Sequence, residues 1–240
     1  MYDRPELAAA HDRLWQAVRT HLGEGPATLC RGGDPWDDWR APDLVLSQTC
    51  GYPYRARLYG RVALVGTPDH RLPGCPPGHY CSVLIARAGD PRDDPAAFAA
   101  ARLAYNEALS QSGWAAPQTF ARAHGFTFAE TLATGAHTHS ARAVAEGRAD
   151  LAALDAVTRR LMRRHDPEAA GLREIARTPP TPALPYITAI TRDPAPVRAA
   201  LDAAIAGLPE ADRDALSLYG MQHIPAAAYL AIPDPPPPAG

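Results

Sequence analysis

A chain of 240 residues with a formal net charge of −2 is long enough for a sizeable core, as one large domain or two lobes. The near-neutral balance argues against general nucleic-acid binding, which needs a basic surface. All 24 cationic side chains are arginine, which with the many alanines and prolines reads as GC-rich coding rather than function.

No run of about 18 apolar residues offers a membrane span. The opening stretch, MYDRPELAAAHDRLWQAVRTHL, carries charges throughout and lacks the apolar core of a secretory signal. The expectation is a cytoplasmic chain as written, or a periplasmic one if the true N-terminus is missing. Cys30, Cys50, Cys75 and Cys81 contain no C-x-x-C pair, so no zinc site is expected. Buried thiols are the default without a signal, and a Cys50–Cys75 disulfide stays open.

In chain order, Pro5–Leu22 reads as a helix with Leu7, Ala10, Leu14, Val18 and Leu22 on one face, stopped by Gly23 and Gly25. Residues 31–42 read as a loop whose tryptophans anchor local packing rather than stack a ligand. Asp43–Ser47 reads as a buried strand. Gln48 to Pro53 then lies just past its end, where open α/β sheets bind ligands. Cys50 in Gln-x-Cys-Gly faintly suggests a papain-like nucleophile, but Tyr52 and Pro53 replace the rest of that signature.

Arg61–Gly66 and Tyr80–Arg87 are further strands around a turn-rich loop. Ala88–Pro95 and Thr178–Pro185 are rich in breakers and read as crossovers between lobes. Pro95–Ala101 is a short helix and Arg102–Tyr105 a strand. Asn106–Gly113 then leads into a helix through Phe120, its Ser-x-Ser-Gly offering hydroxyls and amides to an anion. In Thr134–Asp155, Gly135 permits a turn and Thr138 or Ser140 caps a helix ended by Gly147. Leu151–Leu154 is then a buried parallel strand ending on Asp155. Ala156–His165 is a helix with a solvated arginine face, and 171–177 and Tyr186–Thr191 are strands. Pro194–Ala206 and Glu210–Tyr219 are helices, and the tail DPPPPAG is extended or disordered.

The two crossovers give an α/β, two-lobed layout: residues 1–88 with 186–240 as lobe 1, 89–185 as lobe 2, and a ligand cleft between them. Tyr105–Gly113 together with Gly135–Ala141, Gly147–Asp150 and Asp155 resembles the substrate-binding components of phosphate, phosphite and phosphonate ABC transporters. That resemblance implies a type 2 periplasmic binding protein fold. It implies that Ser110, Gln111, Ser112 and Gly113 hold phosphoryl oxygens, that His137 and Thr138 contact the same group, and that Asp155 lies near the ligand. Gln48, Thr49 and Tyr52 match the first-lobe ligand loop by position only. Ala136 stands where the pattern has Ser, removing one hydroxyl. The pattern also begins with a strand that Met1–Asp3 would already be ending.

An oxyanion ligand also suits the chemistry, since each charge-assisted hydrogen bond contributes about 1.5–3 kcal/mol. Two helix starts, several hydroxyls and a histidine supply donors without Lys or Arg. Asp155 would accept a ligand proton or pair with the ammonium of an aminoalkylphosphonate. The function expected is solute binding without catalysis or cofactor, by a monomer, with an ABC permease as partner. Two alternatives remain: a cytoplasmic sensor domain for a small anion, and a metal-dependent hydrolase using His137 and His139.

Overall fold

The computed structural model describes residues 2–238, so Met1 and the last two residues of the tail lie outside the described residues. In chain order the helices are α1 (Ala8–Leu22), α2 (Pro35–Arg40), α3 (Gly51–Pro53), α4 (Ala116–Ala123), α5 (His137–Ala145), α6 (Ala156–His165), α7 (Pro194–Gly207), α8 (Glu210–Leu216) and α9 (Ala226–Leu230). The strands are β1 (Ser47–Gln48), β2 (Val62–Asp69), β3 (His79–Tyr80), β4 (Ser82–Arg87), β5 (Arg102–Tyr105), β6 (Glu130–Ala133), β7 (Leu151–Asp155), β8 (Leu172–Arg177), β9 (Thr181–Pro182), β10 (Tyr186–Ala189) and β11 (Gly220–Gln222). The chain divides into two compact units, Met1–His79 with Pro182–Leu230 and Tyr80–Thr181 with Ala231–Gly240.

In the first unit the sheet runs β1-β10-β2-β11, every neighbour antiparallel. The α1 face forms as its periodicity predicts: Leu7, Ala10, Leu14 and Val18 are buried, and the helix packs on α7. Gly23 ends it at φ 79°, a left-handed conformation that glycine adopts without strain, and donates to the Arg19 carbonyl. Trp39, Tyr54, Leu58, Val62, Ile187 and Tyr229 form the core under the sheet.

Two expectations change here. The segment read as a loop contains α2, because Asp34 accepts from the Trp36 amide and Pro35 occupies the first helical position. The strand expected over Asp43–Ser47 is laddered only at Ser47–Gln48. Leu44 to Leu46 are half-buried, with Thr188 Oγ1 donating to the Leu44 and Val45 carbonyls.

The second unit is built on a five-stranded sheet, β6-β5-β7-β4-β8. β5, β6 and β7 are mutually parallel, whereas β4 runs antiparallel to β7 and β8. All five β7 residues are buried, which accounts for its uninterrupted apolar run. Leu84, Leu103, Leu151 and Leu154 are fully buried, each contributing about 1.5–3 kcal/mol relative to exposure. β6 has no matching sequence signal, being a half-exposed edge strand with Glu130 and Thr131 in it.

The chain passes between units at 79/80, 181/182 and 230/231, the last putting the tail with the second unit rather than the first. The second crossing falls in the proline-rich segment, but the first does not fall at 88–95. Ser82–Arg87, expected in lobe 1, is an inner strand of the second unit's sheet. The breakers at 88–95 instead form a turn in which Asp90 pairs with Arg92, and that ion pair holds the carboxyl at about 2. The tail also departs from expectation. Pro235 is buried, and the Pro236 carbonyl accepts the Trp114 indole proton at 2.9 Å. Likewise Arg159, read as part of a solvated face, is buried and donates to the Ala169 and Leu172 carbonyls.

Candidate functional site

Because β5, β6 and β7 are parallel, their C-terminal ends share one edge of the second unit's sheet, where open α/β sheets collect ligands. β5 delivers Asn106–Gly113, β6 delivers Thr134–Thr138, and β7 delivers Asp155. The β5–β6 pairing continues past the strands: the Thr134 amide donates to the Tyr105 carbonyl and the Gly135 amide to the Asn106 carbonyl, both at 2.9 Å. Gly135 takes φ 84° to allow this. The two loops are therefore fixed side by side before any ligand arrives.

The first loop starts a helix. Ser110 Oγ accepts from the Gly113 amide at 2.9 Å, and its carbonyl accepts from the Trp114 and Ala115 amides across a wide π-type turn, Gln111–Ala115. Ser110, Gln111 and Ser112 are buried. Gly113 is required by a close approach: a Cβ there would lie 1.9 Å from Asn106 Oδ1 and 3.2 Å from Ser110 Oγ. Asn106 Oδ1 is itself buried without a hydrogen-bond partner. Asn106 belongs to the motif read from sequence, yet only the structure shows that it faces Gly113.

The second loop starts α5. No side chain caps this helix, because its cap position is Ala136, so its first amides stay available to an anion. Neither Thr138 nor Ser140 is the cap expected from sequence. Thr138 is in the first turn, and Ser140 is inside the helix, 2.6 Å from Thr134 Oγ1. That contact pins the loop instead.

His137 Nε2 lies 2.9 Å from Ser112 Oγ and joins the two loops. Desolvation lowers the imidazole to about 4, with the Ala153 backbone acting weakly in the opposite direction. His137 is therefore neutral at physiological pH and acts as a hydrogen-bonding group, not a cation. His139 is exposed, two residues further round the helix, with Nδ1 3.1 Å from the Thr134 carbonyl. The two histidines thus diverge rather than converge on a metal. Among the described residues no group of three His, Cys, Asp or Glu side chains is arranged to hold one.

Asp155 is buried and caps α6, Oδ1 accepting from the Val157 and Thr158 amides at 2.7 and 3.1 Å. It ends β7 at the same sheet edge, and its carboxylate is engaged by the helix start.

In the first unit, the Gln48 side chain donates to the Leu184 carbonyl at 3.1 Å, and the Gln48 backbone carbonyl accepts from Trp39 Nε1. Thr49 is fully buried with Oγ1 unpartnered, and Tyr52 is buried under the Arg55 guanidinium at 4.2 Å. Gln48 also lines a cavity of about 430 Å³ bounded by Leu14, Trp15, Leu29 and Leu46. Apolar walls with Asp38 and Asp43 nearby make that cavity unsuitable for an oxyanion. The four cysteines are thiols, so the Cys50–Cys75 bridge is not formed.

Solved structures share this architecture. A methylphosphonate complex of PhnD1 from Prochlorococcus marinus superposes with TM-score 0.74 at 15% identity, over 95% of this chain and 91% of that one. The binding protein component PA3383 of a Pseudomonas aeruginosa ABC phosphonate transporter gives 0.67 at 17%, over 92% and 77%. XAC2383 from Xanthomonas citri, bound to chloride, gives 0.66 at 17%, over 94% and 90%. The fold is that of a type 2 periplasmic binding protein.

No curated protein sequence matches the chain. The family described as "ABC transporter, phosphonate, periplasmic substrate-binding protein" matches residues 43–229, more than half of its length, and the chain belongs to that family. Among the described residues no helix is long and apolar enough to cross a membrane.

Proposed function

We propose that this chain is a solute-binding protein for phosphate, phosphite or a phosphonate, and that it hands its ligand to an ABC permease. One observation carries this reading. Ser110–Gly113 and the uncapped start of α5 lie at the same sheet edge, joined through Ser112 and His137. Amides at two helix starts, buried hydroxyls and a neutral imidazole form a set of hydrogen-bonding groups for a tetrahedral oxyanion without a fixed positive charge. Thr49 and Tyr52 are the further contributors in this reading, Thr49 through its unpartnered buried hydroxyl. In this reading Asp155 braces the start of α6, since a carboxylate offers an oxyanion no donor, and Gln48 braces the Leu184 carbonyl.

A serine–histidine contact also occurs in nucleophilic catalysis. Here the imidazole, near 4, is too weak a base to activate Ser112, and no carboxylate contributes to its environment. Binding without turnover is the better reading, and the protein acts as a monomer.

The test is titration calorimetry with phosphate, phosphite, methylphosphonate and 2-aminoethylphosphonate. Saturable binding of at least one, weakened about tenfold or more in Ser112→Ala, supports the proposal. No heat and no thermal shift with all four would end it.

A further inference from the structure

We infer that the C-terminal tail is a positioning strap for the oxyanion loop, acting through Trp114; this rests on the binding reading above. Trp114 directly follows Gly113, and its amide donates to the Ser110 carbonyl at 3.2 Å, so it belongs to the turn that presents Ser112. Its side chain is only 3% exposed, and its indole N–H donates to the Pro236 carbonyl at 2.9 Å. Pro235, beside that acceptor, is buried.

The other face of the relay is Tyr105, whose ring centroid lies 4.7 Å from that of Trp114 at an interplanar angle of 53°. The Tyr105 carbonyl accepts from both the amide and Oγ1 of Thr134, the residue that opens the second loop. Trp114 is thus packed on a residue whose backbone helps to fix that loop, while continuing the first. The tail holds its indole at the remaining side. Consecutive prolines suit a strap, since their fixed φ leaves little backbone freedom to lose on docking. Proline carbonyls also accept a hydrogen bond while offering no competing amide.

The experiment uses the full chain, Trp114→Phe, and a truncation after Ile232. The first keeps an aromatic ring but removes the N–H together with the pyrrole part of the indole; the second removes the acceptor. Affinity for phosphate and methylphosphonate is read by calorimetry. Hydrogen exchange of residues 106–113 and 134–138 is read without ligand. The strap predicts that each variant weakens binding about fivefold or more, the value of one lost hydrogen bond. It also predicts faster exchange in both loops, and no further loss when the two changes are combined.

Unchanged affinity with a lowered melting temperature would mean a purely structural tail and would overturn the inference, as would additive losses. If the wild type binds no oxyanion, the binding proposal fails, and the strap is judged by exchange alone. Unchanged protection in the truncation then sinks it, and faster exchange sustains it. Should the truncation not fold, the double change Pro235→Gly and Pro236→Gly, which keeps every carbonyl but loosens the tail, is read by the same criteria.

Discussion

The loops that follow β5 and β6 in the second unit and the Gln48–Tyr52 segment of the first are built on different principles. In the second unit the loop contacts run to neighbours close in sequence or on the adjacent strand, with Asn106 Oδ1 and His137 Nδ1 buried without partners. Ser110 holds Gly113, Thr134 holds Ser140, and the Tyr105 and Asn106 carbonyls hold the Thr134 and Gly135 amides. In the first unit Gln48 is tied to a distant carbonyl, and Thr49 keeps an unpartnered buried hydroxyl. One loop set is therefore braced by near neighbours, whereas the other hangs on a carbonyl distant in sequence. Preorganised donors bind with less ordering cost, so disturbing the first set should cause the larger losses.

The largest effect is expected at Gly113. Gly113→Ala puts a methyl group 1.9 Å from Asn106 Oδ1, so the Asn106 side chain or the first loop must shift. Overpacking of this kind costs about 1–3 kcal/mol of stability. Oxyanion binding should fall below detection by calorimetry while circular dichroism stays native. Adding Asn106→Ala should recover part of the lost stability, and failure to do so would break the link between these residues. Ser112→Ala comes next. It removes a hydroxyl placed for a charged ligand, a loss of about 1.5–3 kcal/mol, or roughly 10- to 150-fold in Kd.

How far each region was legible follows the same division. Short-range patterns carried α1, β7, α5 and the Ser-x-Ser-Gly helix start, because periodicity and glycine placement act over a few residues. The α2 signal was present in Asp34-Pro35 but was outweighed by the surrounding Gly, Pro and Asp. β6 was hidden, since an edge strand containing Glu130 needs β5 beside it to form. Asn106 was visible as part of a motif, but its reason, the contact with Gly113, is tertiary. Ser82–Arg87 was placed in the wrong lobe because a hydrophobic strand does not say which sheet it will join. The buried tail was missed because composition alone suggests no partner for proline, whereas Trp114 supplies one.

A smaller effect, and one of opposite sign on two observables, is expected at Thr49. Thr49→Val keeps the shape and removes a buried hydroxyl that has no partner. An unsatisfied buried polar group costs about 1–3 kcal/mol, so the unliganded protein should become more stable, by about 1 kcal/mol. If the hydroxyl meets the ligand, oxyanion affinity should fall about three- to tenfold in the same variant. Chemical denaturation and calorimetry on one preparation would decide. A stability gain with unchanged affinity would remove the first-unit loop from the ligand set.

The smallest effect distinguishes the two regions by pH. His137 belongs to the preorganised set, and desolvation lowers it to about 4 from the ordinary 6.5. The unfolded chain takes up a proton near 6.5 but the folded one only near 4, so protons favour the unfolded state across that interval. Stability of the unliganded protein should therefore be flat above about pH 7 and fall as pH drops from about 6.5 to 4. His11 is lowered in the same direction by burial, so it contributes to the same window. Asp90, near 2 through its Arg92 partner, acts only at lower pH. His137→Asn should flatten the decline without abolishing it, the remainder belonging to His11. Denaturation midpoints at pH 7 and pH 5 measure this. An equal fall in wild type and variant would show that the imidazole is solvated, and with it that the loop pair is less rigid than the Ser112–His137 contact implies.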